Sequence, residues 1–141
     1  MANVQVCDID PDVLALLKKF KFRREKNVAA VVLKVDFAKQ LVILDEEYED
    51  CTVEEVASEL PASQPRYVVL SYVHKHQDGR VSFPLIFIFC TPQGCKPEHQ
   101  MMYAGTKLAL VNEAKVTKVF EIRSPEELTE EFILEKLQLF K

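Results

Sequence analysis

Hydrophobic residues recur at helical spacing near the start of the chain. The apolar stripe consists of Val13, Leu14, Leu17 and Phe20. Before it, Asp10 can cap a helix, Pro11 suits the first helical position and Asp12 complements the helix dipole. The pattern therefore predicts a first helix, which ends in a cluster of basic residues.

Two apolar runs follow, at residues 28–35 and 41–44, and both are rich in β-branched and aliphatic side chains. The polar joint between them favours an antiparallel hairpin. Because each run is nearly continuous rather than alternating, we expect both faces of these strands to be covered. Thr52 then begins a capping box, which predicts a short helix that ends at Pro61.

A second hairpin is predicted from two long strands, at residues 66–76 and 80–90, around a turn at residues 77–79. The turn contains Asp-Gly, a strong signal because both residues tolerate positive φ. Pro84 interrupts the second strand. Since proline has no N–H to donate, we expect a bulge or an unpaired edge there.

The last part of the chain predicts a helix, a strand and a further helix. Lys96 and Pro97 begin a long helix that runs to about Glu113, and a strand follows at residues 117–122. Ser124 begins a capping box for a terminal helix that breaks near Thr129. The apolar face of that helix consists of Leu128, Phe132, Ile133, Leu137 and Phe140.

The predicted element order is α-ββ-α-ββ-α-β-α. Two hairpins and a strand entered from a helix predict an α/β (α+β) fold with a five-stranded mixed sheet flanked by helices on both faces. The chain has three glycines among 141 residues, with no low-complexity run and no internal repeat that would serve as a linker. We therefore expect a single domain over residues 1–141.

Composition and charge exclude some classes of binding partner. With 48% hydrophobic and 28% charged residues and a net charge of −4, binding of nucleic acid or an anionic membrane over the whole surface is not expected. The charge is nevertheless segregated, since residues 18–26 carry six basic side chains against one acidic one, and residues 45–59 carry eight carboxylates without Lys or Arg. The sequence shows no signal peptide and no membrane-length apolar run, so we expect a cytosolic protein.

Familiar catalytic motifs are missing from the sequence, which has no phosphate-binding loop, dinucleotide fingerprint or nucleophile elbow. His74 and His76 would share a strand face as a metal pair, but a solvated hairpin end is the favoured interpretation because no third ligand is near in sequence. Cys90 and Cys95 are interpreted as inert free thiols, and the acidic run at residues 45–50 as a solvated loop. We therefore expect no enzyme activity, no metal and no cofactor.

The long helix carries two apolar stripes, where a surface helix usually carries one. One stripe consists of Met102, Tyr103, Thr106, Ala109 and Leu110. The other consists of Met101, Ala104, Gly105, Leu108 and Val111. Either the helix is buried all round or one stripe is exposed, and exposed apolar surface with methionine is common at protein-binding faces. Periodicity alone leaves both interpretations open.

Several longer runs are specific enough to indicate a family. They are DGRVSFPLIFIF at residues 78–89, GCKPEHQMMYAGTK at 94–107, KFKFR at 19–23, LDEE at 44–47, TKVFEIR at 117–123 and LTEEF at 128–132. Together they resemble the glia maturation factor family, which has the actin-depolymerising-factor homology (ADF-H) fold. The resemblance implies this fold, with the Tyr103 stripe packed inward and the Met101 stripe facing a partner.

The resemblance also implies what that partner is. Glia maturation factors bind the actin-related protein 2/3 complex, inhibit branched actin nucleation and sever branch junctions. By resemblance, the primary partner-binding residues are Asn3, Val4, Lys96, Met101, Lys107 and Leu108. A secondary partner-binding surface is implied at Arg23, Arg24, Asp78, Arg80, Glu131 and Lys136. We expect a monomer that is located in the cytoplasmic actin cytoskeleton, at the cell cortex or leading edge. Actin at a branch junction as a further partner, and a nuclear location, are left open.

Two departures from cofilin-like members of the fold bear on function. Those members carry basic residues before the Met-x-Tyr run, where this chain has Glu98 and Gln100, so direct binding to acidic actin is expected to be weak or absent. They also carry a phosphorylatable serine in the N-terminal arm, but residues 1–4 contain no hydroxyl. The alternatives are a cofilin-like protein that binds and severs actin directly, a secreted growth factor, ranked last, and an enzyme that uses Cys90 or Cys95.

Overall fold

The computed structural model describes residues 7–23 and 25–138. Its helices are α1 (Pro11–Lys21), α2 (Val53–Glu59), α3 (Pro97–Ala114) and α4 (Glu130–Leu137), with a single 3₁₀ turn at Pro125–Glu127. Its strands are β1 (Asp8–Ile9), β2 (Ala29–Asp36), β3 (Leu41–Tyr48), β4 (Arg66–Ser71), β5 (His74–Lys75), β6 (Val81–Ser82), β7 (Leu85–Cys90) and β8 (Lys118–Ile122).

The main sheet is mixed, as predicted, but it has six strands in the order β1-β3-β2-β4-β7-β8 instead of five. The additional strand is β1, which pairs in parallel with the start of β3. It has two residues, so it is too short to show an alternating pattern in the sequence. Its place is set by hydrogen bonds to β3 and its turn, in which the Asp8 N–H donates to the Gln40 carbonyl and the Asp10 N–H to the Val42 carbonyl.

The second predicted hairpin forms, but it divides into two sheets. β4 pairs with β7 in the main sheet, whereas β5 and β6 form a separate two-stranded ribbon beyond it. The division falls at Pro84, whose carbonyl accepts from the Tyr72 N–H but which has no N–H to return. The predicted interruption at Pro84 is therefore confirmed, and the tight turn is closed by Gly79 at a φ of 92°.

Both faces of the sheet are covered, as the apolar runs predicted. On one face, α1 and α3 pack against Tyr67 and Val69 of β4. On the other face, α2 and α4 pack against Val68 and Leu70 of the same strand. Successive residues of a strand point to opposite faces, so a run without polar positions is what a sheet between two helical layers requires.

Capping side chains begin three of the helices. An Asp10 oxygen accepts the Asp12 N–H at 2.9 Å, and the Thr52 and Thr129 hydroxyls accept N–H groups three residues further on at 3.1 Å each. The terminal helix breaks where the sequence predicted, because Leu128 turns into the core between the 3₁₀ turn and α4. Phe140 lies outside the described residues.

Candidate functional site

The two stripes of α3 differ in solvent exposure. Tyr103, Thr106 and Leu110 are buried, with exposed fractions of 1% or less. Met101 and Leu108 are 62% and 67% exposed, and both lie on the opposite stripe. The interpretation of a helix buried all round is therefore wrong for α3. Two members of the outer stripe depart from the pattern, since Gly105 and Val111 are half-buried and Val111 packs against the core.

Hydrogen bonds explain why the Tyr103 stripe faces the sheet. The Tyr103 hydroxyl accepts the Val35 N–H of β2 at 2.9 Å, and the Tyr67 hydroxyl of β4 donates to the Tyr103 carbonyl at 2.5 Å. Phe37 packs on the edge of the Tyr103 ring and stacks on His99 one turn earlier. These contacts of the inward face fix the rotation of α3 about its axis, and the Met101 stripe therefore faces outward.

The start of the described chain is joined to the middle of α3. The Cys7 N–H donates to the Thr106 hydroxyl at 2.9 Å, and that hydroxyl donates in turn to the Met102 carbonyl at 2.8 Å. Both Cys7 and Thr106 are buried. The chain is thus held against α3 at Cys7. The predicted arm residues Asn3 and Val4 lie outside the described residues.

Two lysines accompany the exposed stripe in different states. Lys96 is the exposed N-cap residue of α3, and its side chain makes no capping bond. Lys107 is paired, because its ammonium lies 2.7 Å from a Glu121 carboxylate oxygen on β8 and 5.8 Å from the centre of the Phe89 ring. The Lys107 side chain keeps 28% of its surface exposed. Near the start of the helix, Glu98 is exposed and carries the opposite charge.

Arg23 of the secondary surface is engaged inside the protein. Its side chain is 12% exposed, and its guanidinium donates to the backbone and side-chain oxygens of Asn27 at 2.9 and 2.8 Å. A longer bond of 3.4 Å reaches the Ser71 hydroxyl at the end of β4. Much of its donor capacity is therefore used to hold the connection from α1 to β2. Arg24 lies outside the described residues.

The remaining secondary residues belong to the ribbon and to α4. Asp78 and Arg80 flank the turn and pair at 2.7 Å, with side chains 55% and 74% exposed. Glu131 is exposed on α4, and the Lys136 ammonium lies 5.5 Å from the centre of the Phe132 ring. α4 is tied to the region where the ribbon leaves the main sheet by the Tyr72 hydroxyl, which donates to a Glu130 carboxylate oxygen at 2.8 Å.

Sequence reasoning missed two residues that organise the primary surface, Thr106 and Glu121. Thr106 was placed on the inward stripe, but its bond to Cys7 joins residues 99 positions apart. Glu121 lies on a strand whose sequence position gives no indication that it faces Lys107. Helical and strand periodicity report which face a residue occupies, and they carry no signal for such contacts between elements.

The cysteines have environments that suit their interpretation as inert free thiols. All four cysteines are free and buried. Burial raises the pKa of Cys51 to about 11 and that of Cys90 to about 12, so both thiols are protonated at neutral pH and are poor nucleophiles. The prediction that the acidic run at residues 45–50 is a solvated loop is wrong for its first part, because β3 pairs with β2 as far as Tyr48 and so contains Asp45. Asp45 makes ion pairs with Arg66 at 2.9 Å and with Lys34 at 3.6 Å.

Residues 7–23 and 25–138 contain neither a membrane-spanning helix nor a metal-binding cluster. None of the helices there is both long and apolar enough to cross a membrane. That same part of the chain contains no group of three or more His, Cys, Asp or Glu side chains placed to hold a metal ion.

The comparisons with known proteins agree with this geometry. A family model described as cofilin/tropomyosin-type actin-binding protein matches residues 6–138. The chain is 56% identical to glia maturation factor beta of Homo sapiens over 138 residues, which are 98% of this chain and 97% of that protein. The chain belongs to the glia maturation factors, within that actin-binding family.

Other glia maturation factors match over the same length. The protein from Drosophila melanogaster is 51% identical over 98% of this chain and 100% of its own length. The solution structure of glia maturation factor from Caenorhabditis elegans superposes with a TM-score of 0.83 at 38% identity, covering 96% of this chain and 99% of that one. The predicted ADF-H fold is confirmed, and the chain is an ADF-H member of an actin-binding family.

Proposed function

We propose that this glia maturation factor binds the actin-related protein 2/3 complex, here called the branching complex, inhibits branched actin nucleation and promotes debranching of filaments. Its direct binding to actin is weak or absent. The observation that carries the proposal is the exposed apolar stripe of α3, held outward on a helix whose rotation the core fixes. Membership of the family supports the choice of partner.

The apolar part of the contact is formed by Met101 and Leu108. They are seven residues apart, about two helical turns, so both project from the same side of α3. Full burial of one such side chain contributes roughly 1.5–3 kcal/mol. Since each is already about one-third covered, we expect about 1–2 kcal/mol from each on binding. Lys96 and Lys107 add charge contacts at the start and at the edge of this stripe, and Asn3 and Val4 extend it as an arm.

The charge at the start of α3 argues for the branching complex over actin itself. Exposed Glu98 stands where cofilin-like members carry a cation, so an acidic actin surface would meet a like charge. Gln100 is half-buried, and its amide lies 3.5 Å from the Pro92 carbonyl. Like charges across an interface disfavour a partner by kcal/mol amounts without disturbing the apolar contact.

The mechanism requires differential binding rather than bond chemistry. A ligand shifts an equilibrium only as far as its affinities for the two states differ. The protein therefore promotes debranching by binding the detached or inactive branching complex more tightly than the complex at a branch. A rigid α3 with a preformed apolar stripe suits this task because it loses little conformational freedom on binding.

Pull-down of the purified branching complex tests the primary surface. The double variant Met101→Ala, Leu108→Ala is expected to weaken binding by about 30-fold or more, from about 2–4 kcal/mol of lost contact. The matched control is Leu44→Ala, which removes a 41% exposed leucine from β3 instead of α3. Unchanged binding by the double variant, or equal loss in the control, would refute the assignment of this surface.

The second candidate function is direct binding and severing of actin, as in cofilin-like members of the fold. Co-sedimentation with pure filaments separates the two, since a direct binder must pellet without the branching complex. Microscopy of preformed branched filaments provides the functional readout. The proposal expects branches to be lost while unbranched filaments keep their length, and shortening of unbranched filaments would favour the second candidate.

The secondary surface is proposed as a weaker contact with the branching complex or with actin at the branch junction. Its accessible members are Asp78, Arg80 and Glu131, whereas the Arg23 guanidinium is used within the protein. The variant Arg80→Ala is therefore expected to weaken binding without changing the fold. Arg23→Ala would also remove the hydrogen bonds to Asn27, so a loss of binding in that variant would have two causes. We propose the cytoplasmic actin cytoskeleton, at the cell cortex or leading edge, as the location of this activity.

A further inference from the structure

Two of the three histidines of the chain lie side by side on the ribbon. His74 and His76 are two residues apart, and their ring centres are 4.2 Å apart with the ring planes at 76°. On the facing strand, the Ser82 hydroxyl lies 2.9 Å from His76 Nε2. The ribbon thus presents two imidazoles and one hydroxyl within a few ångströms of each other.

The second observation is an unsatisfied nitrogen. His74 Nδ1 is buried, and among the described residues it has no hydrogen-bond partner. A buried polar atom without a partner costs about 1–3 kcal/mol, so such atoms are uncommon and call for an explanation. An imidazole nitrogen with a free lone pair is also what a transition-metal ion binds.

We propose that His74 and His76 form a two-histidine chelate for a divalent transition-metal ion, with Cu²⁺ bound more tightly than Ni²⁺ or Zn²⁺. Imidazole nitrogen suits all three ions, and for a given set of ligands Cu²⁺ has the highest affinity. Two imidazoles that share one metal at about 2.0–2.1 Å per nitrogen have their ring centres roughly 5 Å apart. To reach that arrangement, the side chains must rotate so that the ring centres move apart from 4.2 Å and His74 Nδ1 is uncovered.

The residues around the pair decide how many protein ligands the ion would have. Asp78 in the adjoining turn already pairs with Arg80, so the site has two protein ligands and its remaining coordination positions would be filled by water. This makes it an open site of modest affinity rather than a closed structural one.

Cu²⁺ added to the full chain is the probe. Titration should give one saturable site, with nitrogen hyperfine structure in the electron paramagnetic resonance spectrum and selective broadening of the His74 and His76 ring signals in NMR. His74→Gln and His76→Gln are each expected to weaken binding by about tenfold or more. The matched control is His99→Gln, the third histidine, which lies on α3 and should leave the affinity unchanged.

A variant that gains affinity is also needed, because a histidine variant could lose Cu²⁺ affinity simply by misfolding. Ser82→Asp places a carboxylate beside His76 and supplies a third ligand, so Cu²⁺ affinity should rise by about tenfold. Equal affinities in wild type, His74→Gln and His76→Gln would overturn the proposal, because the ion would then bind elsewhere. Unchanged affinity in Ser82→Asp would overturn the assigned geometry, and tighter binding there would support it.

Discussion

The joint between Cys7 and Thr106 offers a sharp test of how the start of the chain is held on α3. We consider Thr106→Val, which keeps the shape of the side chain and removes the hydroxyl. That hydroxyl accepts the Cys7 N–H at 2.9 Å in a place where both residues are buried. A buried donor left without a partner costs about 1–3 kcal/mol. The variant also removes the hydrogen bond that the Thr106 hydroxyl donates to the Met102 carbonyl. That carbonyl keeps its backbone hydrogen bond within the helix, so this loss adds little to the destabilisation.

We therefore expect Thr106→Val to lower the free energy of unfolding by about 2 kcal/mol in urea denaturation. Amide hydrogen exchange provides the direct readout, since the Cys7 N–H should be protected in the wild type and should exchange faster in the variant. The matched control is Thr106→Ser, which loses a methyl group, at a cost of about 1 kcal/mol, but keeps the hydroxyl and the Cys7 protection. If Cys7 exchange were the same in all three proteins, the hydroxyl would not be what anchors this segment.

Three further predictions follow from other contacts. Thr52→Ala removes the cap of α2 and should lower the free energy of unfolding by about 1 kcal/mol in urea. The pKa of Cys51 is raised from 9.0 to about 11 and that of Cys90 to about 12 by burial, so the folded state holds these protons more tightly. The contribution of these thiols to the free energy of unfolding should therefore be constant below pH 9 and should fall as the pH rises towards 11. Urea denaturation midpoints that rise over that range would contradict this reasoning. Glu121→Gln should change stability by less than about 1 kcal/mol but should tighten binding to the branching complex, because Glu121 no longer competes with a partner carboxylate for Lys107, and Lys107→Ala should abolish that gain.

Local signals in the sequence predicted much of the fold. The caps at Asp10, Thr52 and Ser124, the break near Thr129, the interruption at Pro84 and the covering of both sheet faces are all present. Each depends on a short stretch of chain, on the missing N–H of a proline or on the period of a strand. These are the features that a single sequence records directly.

The parts that could not be predicted depend on contacts between distant segments. The strand β1 has two residues and exists through its bonds to β3 and its turn, and the Lys107–Glu121 pair joins a helix to a strand. For α3, periodicity gave two equivalent stripes, and only the tertiary bonds of Tyr103 select the inward one. The resemblance to a family supplied that choice before the structure did, but it gave no indication that the Arg23 guanidinium is occupied by Asn27.

The position of β8 has a consequence for behaviour at high concentration. This strand lies at one end of the sheet, next to the almost wholly apolar β7. The outer strands of a sheet are where another molecule can add a strand and begin to aggregate. Exposed Glu121 places a charge on β8, and a second molecule would have to strip water from it to pair there. Neutralising Glu121 to alter partner binding would therefore also reduce colloidal stability, so solubility and recognition are coupled through one carboxylate.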